Sequence, residues 1–172
     1  MKASDGAAAA ARLMLLISAA RPLRSLQTGL HLARDLGADI WVGASGDALS
    51  WLDRKAVEGV TGRPLVNDGE PLPAGSCTVC VAPATFNTLN KLASGVADTL
   101  VTAVAAEAIG AGQRVVVAPS MNSALMDHPV APESRRRLVS YGVHLLWPET
   151  GNESIEDFGA WWEAVISECA LA

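Results

Sequence analysis

Residues 77–129 read CTVCVAPATFNTLNKLASGVADTLVTAVAAEAIGAGQRVVVAPSMNSALMDHP, and this stretch decides the fold. Two apolar runs rich in β-branched residues, Thr78–Ala82 and Arg114–Ala118, each lead into Ala-Pro, small polar residues and an asparagine. Such runs read as buried strands, and about 30 residues between them with a helical pattern complete a βαβ unit. Strands joined this way lie parallel, and their ligands bind outside the carboxyl ends. Asn87 and Asn122 both belong to that edge.

The same alternation continues on either side. Leu13–Ser18 predicts a first strand, and Pro22–Leu36 a helix. Pro22 suits the first turn of that helix, Leu23, Leu26, Leu30 and Ala33 share one face with Leu36 at its edge, and Gly37 ends it. Asp39–Gly43 predicts a second strand, and Asp47–Val60 a helix carrying Leu49, Leu52, Ala56 and Val60. Thr61–Ser76, rich in Gly, Pro and Asp, reads as a loop with a short strand at Leu65–Val66. The central unit holds helices Phe86–Ala93 and Val96–Ile109. A helix around Pro132–Tyr141, a strand Val143–Leu146 and a last helix Ile155–Leu171 follow. The pattern is that of a single-domain α/β fold over residues 1–172, a Rossmann-like (flavodoxin-like) sandwich with a mostly parallel sheet.

Composition agrees with buried strands. The chain has 172 residues, 50% of them hydrophobic, with a mean hydropathy of +0.26, which suits strands covered on both faces or a subunit that hides apolar surface in an oligomer. A net charge of -5 leaves no basic footprint for nucleic acid. No apolar run reaches the roughly 18 residues of a membrane helix. Met1–Ala20 has the outline of a signal peptide, but Asp5 and Arg12 interrupt it. Leu13–Ser18 is better used as a strand, so residues 1–11 are expected to be a mobile tail and the protein to be cytoplasmic.

Three cysteines do not make a disulfide framework. Cys77 and Cys80 form a CxxC within a strand pattern, where they point to opposite faces and read as buried thiols. His31, His128 and His144 lack ligand spacing, so no metal site is expected. Neither the Gly-x-Gly-x-x-Gly fingerprint nor a P-loop occurs. The first two strands end instead in Ser18-Ala19-Ala20-Arg21-Pro22 and Ala44-Ser45-Gly46. Small residues at such turns let backbone N–H groups approach a phosphate, and Arg21 adds a charge-assisted contact.

The two asparagine-bearing strand ends resemble the signatures of the homo-oligomeric flavin-containing cysteine decarboxylases. This family includes phosphopantothenoylcysteine decarboxylase and the peptidyl-cysteine decarboxylases of lantibiotic and related peptide pathways. The family's Pro-Ala-Ser-Ala-Asn-Thr appears as Pro83-Ala84-Thr85-Phe86-Asn87-Thr88, and its Gly-(Ile/Val)-Ala-Asp-x-Leu as Gly95-Val96-Ala97-Asp98-Thr99-Leu100. Its Pro-x-Met-Asn-x-x-Met-Trp appears as Pro119-Ser120-Met121-Asn122-Ser123-Ala124-Leu125-Met126. A looser match puts Ser45 and Trp51 where the family has a Thr or Ser and a Phe that packs beside the flavin.

The resemblance implies FMN as cofactor. Thr85, Phe86, Asn87 and Thr88 would line the flavin and its ribityl phosphate, and Ser45, Gly46 and the turn Ser18, Ala20 and Arg21 would complete the phosphate pocket. Trp51 would lie against the isoalloxazine and Met121 would touch it through its backbone, while Asn122 would bind the carboxylate of the substrate cysteine. The implied reaction removes a hydride from the cysteine Cβ to the flavin. The thioaldehyde so formed releases carbon dioxide and leaves an enethiol.

Three departures bear on substrate. Gly69 stands where the family's decarboxylases carry a histidine, with only Asp68 or Glu70 nearby to serve as a base. Trp147–Phe158 lacks the cysteine that the phosphopantothenoylcysteine enzymes use to complete their reduced product, and Cys169 falls in the terminal helix, where it reads as core. The Met-Trp ending has become Leu125-Met126. The expectation is therefore oxidative decarboxylation of a C-terminal peptidyl cysteine to an aminoenethiol, in modified-peptide biosynthesis. The alternatives are phosphopantothenoylcysteine decarboxylation and a non-catalytic FMN-binding subunit. A homo-oligomer, trimer or dodecamer, is implied with it.

Overall fold

The structure, a computed structural model, describes residues 10–66, 77–152 and 155–171. Five parallel strands form one sheet in the order β2-β1-β3-β4-β5, with β1 Arg12–Ile17, β2 Asp39–Ala44, β3 Thr78–Ala84, β4 Val115–Pro119 and β5 His144–Leu145. This is the flavodoxin-like order, in which the chain reverses its direction of travel between β1 and β3.

Alternation along β1 sorts the core into two layers. Leu13, Leu15 and Ile17 face α1 (Leu26–Asp35), α3 (Arg54–Thr61) and α8 (Gly159–Glu168), where Leu30, Val57, Trp162 and Ile166 are buried against them. Met14 and Leu16 face α4 (Phe86–Ala93), α5 (Leu100–Gly110) and α7 (Val130–Ser140), and meet Leu89, Val101, Ala105 and Leu138. Leu13, Leu15, Leu16 and Ile17 are 0% exposed. Burying each such side chain contributes about 1.5–3 kcal/mol.

The expected elements are present, with their ends moved by capping. The predicted helix Asp47–Val60 is two, α2 (Gly46–Leu49) and α3. Ser45 Oγ accepts from the Ala48 N–H, and Asp53 Oδ1 accepts from the Ala56 N–H, so two N-caps compete within one apolar pattern. Val57, not Ala56 or Val60, is then the buried residue of α3. The helix expected from Val96 begins at Leu100, because Thr99 and Thr102 cap each other reciprocally. The first helix opens with a 3₁₀ turn at Arg21–Ser25. The last helix runs only Gly159–Glu168, since Asp157 holds the Gly159 N–H and Ala170 turns out of the helix at φ 50°. Strand β3 extends two residues further than expected, through Pro83 to Ala84, with an irregular register between Val81 and Ala84.

Val66 pairs with Gly43 as a short parallel bridge, in place of the strand expected at Leu65–Val66. The proposed tail lies outside the described residues except at its end, where the Ala11 carbonyl accepts from the Asp39 N–H. Gly69, Asp68 and Glu70 also lie outside them.

Two predictions follow from the packing. A Cβ on Gly29 would meet the buried Trp162 ring, 2.7 Å from Cδ2, and that ring is held by its Nε1–H donating to the Pro22 carbonyl. Gly29→Ala is expected to lower unfolding stability by about 1–3 kcal/mol in urea titrations. At the opposite edge, burial pushes the Asp39 carboxyl up, but hydrogen bonds from Arg63, Trp41 and Arg12 with the Arg63 charge outweigh it and hold the pKa below the ordinary value. A depressed carboxylate adds stability above its unfolded pKa and loses it as pH falls through the folded one. Asp39→Asn is expected to cost about 0.5 kcal/mol at neutral pH, and the difference should shrink away as pH falls below about 4.

Candidate functional site

Every strand runs the same way, so all five carboxyl ends, and the turns that leave them, meet at one edge. A cavity of about 480 Å³ opens there, at the reversal between β1 and β3. Ala19, Ala20 and Arg21 line it from β1, Trp51 from beyond β2, and Thr85, Phe86 and Asn87 from β3. Ser120, Met121, Asn122 and Leu125 come from β4, and Asn152 from the segment after β5.

The β3 turn opens a helix at the cavity wall. Thr85 caps α4 by accepting from the Thr88 N–H at 3.2 Å, so the Phe86 and Asn87 N–H groups at the helix start have no intrahelical acceptor. Behind them, Thr88 Oγ1 lies 3.0 Å from Thr85 Oγ1 and 2.8 Å from Ser18 Oγ, which ties the turns after β1 and β3 together. Ser18 and Thr88 are buried and back the cavity wall without lining it. Ser45 and Gly46 stand off the lining too, Ser45 as the cap of α2 and Gly46 as its exposed first residue.

Asn122 is the N-cap of the short helix α6 (Ser123–Met126), its Oδ1 accepting from the Leu125 N–H at 2.9 Å. With Oδ1 engaged, the Nδ2 donors have no protein partner among the described residues, and Asn122 is one of the residues lining the cavity. Arg21 behaves differently from a free phosphate ligand. Nη1 donates to the Asn152 carbonyl at 3.0 Å and Nη2 to the Ile155 carbonyl at 2.8 Å, which holds the segment after β5 against the site. Trp51 is 50% exposed, an indole on the cavity rim.

Of the three histidines, His128 is the one that touches a cavity-lining ring, meeting Phe86 edge-on at 5.6 Å. His144 is engaged by Glu168 at 3.1 Å, at the far end of the sheet. Cys80 and Cys169 are buried in one core layer, and their mutual hydrogen bond together with burial pushes the Cys80 thiol well up. Cys77 packs into the other layer. Cys80 in β3 and Cys169 at the end of α8 are buried as expected, whereas Cys77 stands just before β3 and is only half-buried.

Residues that motif reading passed over are Ser120 and Asn152. Ser120 is the variable position of its motif, and Asn152 lies far along the chain. Parallel strands alone imply that the segment after β5 reaches this edge, and that signal was available in the sequence.

The residues fit a flavin mononucleotide. Trp51, Phe86, Met121 and Leu125 offer apolar and polarizable faces for a ring. The unengaged N–H groups at the start of the eight-residue α4 suit a phosphate. The family model described as Flavoprotein matches residues 6–169. Among curated proteins, the coenzyme A biosynthesis bifunctional protein CoaBC of Thermococcus kodakarensis is 34% identical over 133 residues, 69% of this chain and 32% of its own. The chain thus spans about a third of the length of that relative. The crystal structure of the FMN-dependent cysteine decarboxylase SpaF superposes with a TM-score of 0.72 at 24% identity, covering 93% of this chain and 97% of that one. The peptidyl-cysteine decarboxylase EpiD superposes with a TM-score of 0.68 at 20% identity, covering 81% and 88%. At these identities the two structures speak for the fold.

Thr88→Val keeps the shape of the side chain and removes both hydroxyl contacts. It is expected to lower stability by about 1–2 kcal/mol in thermal or urea unfolding, because Ser18 is left buried without its partner.

Proposed function

We propose that this chain, which belongs to the Flavoprotein family, is an FMN-dependent enzyme that oxidatively decarboxylates a C-terminal cysteine of a peptide. The observation that carries this reading is the Asn122 amide at the cavity wall, its oxygen engaged by α6 and its N–H donors unengaged. An amide held so binds a carboxylate without neutralising it, which leaves the carboxylate able to depart as carbon dioxide. Thr85, Phe86 and Asn87 would hold the phosphate and ribityl chain with Ala20 and Arg21, while Ser18 and Thr88 brace those turns from behind and Ser45 and Gly46 set the turn after β2. Trp51 would lie against the ring and Met121 would touch it through its backbone. When bound, FMN supplies the hydride acceptor that oxidises the cysteine Cβ and lets the carboxyl group leave.

A peptide substrate is favoured because Trp147–Phe158 holds no cysteine with which to complete a reduced product, so the reaction stops at the aminoenethiol. The place of the enzyme would be a cytoplasmic pathway of peptide modification, of the lantibiotic-like kind. The second reading, decarboxylation of phosphopantothenoylcysteine, draws on the likeness to the Thermococcus kodakarensis protein. Exposed Trp51 beside an open cavity supports a homo-oligomer, trimer or dodecamer, whose neighbouring subunit covers the flavin.

Purified protein is expected to be yellow, and a peptide ending in cysteine to lose about 46 mass units, for carbon dioxide and two hydrogens. Turnover of phosphopantothenoylcysteine alone would select the second reading, and protein that takes up no FMN would refute both. Asn122→Asp still caps α6 but sets a charge against the substrate carboxylate. It is expected to retain FMN and to lose about 100-fold or more in kcat/KM. Unchanged turnover would remove Asn122 from the mechanism.

A further inference from the structure

Ser120 and Asn152 are 6% exposed, and both line the cavity. Buried polar side chains at such a place are costly unless their hydrogen bonds are made. Asn152 is held from three directions. Its backbone N–H donates to the Met121 carbonyl at 3.1 Å, its carbonyl accepts from Arg21 Nη1 at 3.0 Å, and its Nδ2 donates to Ser120 Oγ. Ser120 is fixed as well, its backbone N–H donating to the Ala84 carbonyl at 2.9 Å.

This leaves three hydrogen-bonding functions without protein partners among the described residues: the Asn152 Oδ1 acceptor, the second Asn152 Nδ2–H and the Ser120 hydroxyl proton. The Asn152 Oδ1 atom is not among the sealed side-chain atoms that lack a hydrogen bond, so it keeps access to the cavity its residue lines. Turning the carboxamide by half a turn lets Oδ1 accept from the Ser120 hydroxyl and leaves two Nδ2–H donors and the Ser120 Oγ acceptor, so both a donor and an acceptor remain in either orientation. The pair therefore keeps at least one donor and one acceptor unengaged at the cavity it lines.

We propose that Ser120 and Asn152 form an amide-reading subsite, which takes an adjoining N–H and C=O of the bound ligand as its complementary pair. The inference rests on the flavin-site reading above. The chemistry has two sources in that reading: the last peptide bond of a cysteine-ending peptide, and the N3–H and C4=O edge of the flavin. A site built around a donor–acceptor pair rejects a ligand that lacks its counterpart, because the protein's buried groups are then left unpaired.

Two methylated probes test this with the full chain. FMN is compared with its N3-methyl analogue by fluorescence titration. A cysteine-ending peptide is compared with the same peptide N-methylated at its last peptide bond, by its perturbation of the flavin absorbance. In wild-type protein one of the two methylations is expected to weaken binding about tenfold. In Asn152→Leu that penalty should fall below about twofold, with Asn152→Ala as the second variant should the leucine disturb folding. Response to the flavin probe identifies the cofactor edge, and response to the peptide probe identifies the substrate. A merely structural role for Asn152 would weaken parent and methylated probes alike and leave the penalty intact, which overturns the subsite. So does wild-type protein that binds FMN and peptide but is indifferent to both methylations. Wild-type protein that takes up no FMN overturns the flavin reading and the subsite together.

Discussion

A row of backbone hydrogen bonds across the strand ends holds the site in place. The first residue beyond one strand donates to the last carbonyls of its neighbour: Ser45 to Ile17 at 2.9 Å, Ser18 to Pro83 at 3.1 Å, Ser120 to Ala84 at 2.9 Å and Leu146 to Val117 at 3.0 Å. Parallel pairing lines these donors up along one edge, so five separate turns are fixed in height and spacing by the sheet itself. The turns need no large side chains to support them, and the small residues Ala19 and Ala20 leave the cavity open beside β1.

Two polar clusters sit on this frame, one on each side of the β3 turn. Ser18, Thr85 and Thr88 join the turns after β1 and β3, and Ser120 with Asn152 joins the turn after β4 to the segment after β5. Each bond contributes only about 1 kcal/mol, but leaving one of these buried groups unpaired costs more. The clusters are therefore sites of high positional precision in an otherwise apolar fold. Asn122 differs in kind. It spends its oxygen on capping α6, which leaves the amide donors unengaged on a residue that lines the cavity.

Arg21 illustrates how tertiary placement alters a residue's work. In sequence it stands among small residues at a turn, as a phosphate-binding cation would. In the fold its guanidinium grips the carbonyls of Asn152 and Ile155 and passes over the Phe158 ring at 5.9 Å. The charge remains at the cavity rim, but its geometry is set by the chain's last segment. The same segment brings in Asn152, which no local pattern marked.

Alternating strands and helices, the buried face of the first helix, and the two asparagine-bearing turns were determined by the sequence alone, because these depend on apolar period and on turn residues only a few positions apart. Capping moved the element ends, since the Asp53 and Thr99 caps are decided by side-chain competition that periodicity does not register. What only the tertiary structure decided was which turns become neighbours. The order β2-β1-β3-β4-β5 sets Ser18 against Thr88, Arg21 against Ile155 and Ser120 against Asn152. The physical reason is that a hydrogen bond between residues far apart in the chain forms only where strand pairing has brought them together, and strand order is a property of the whole sheet.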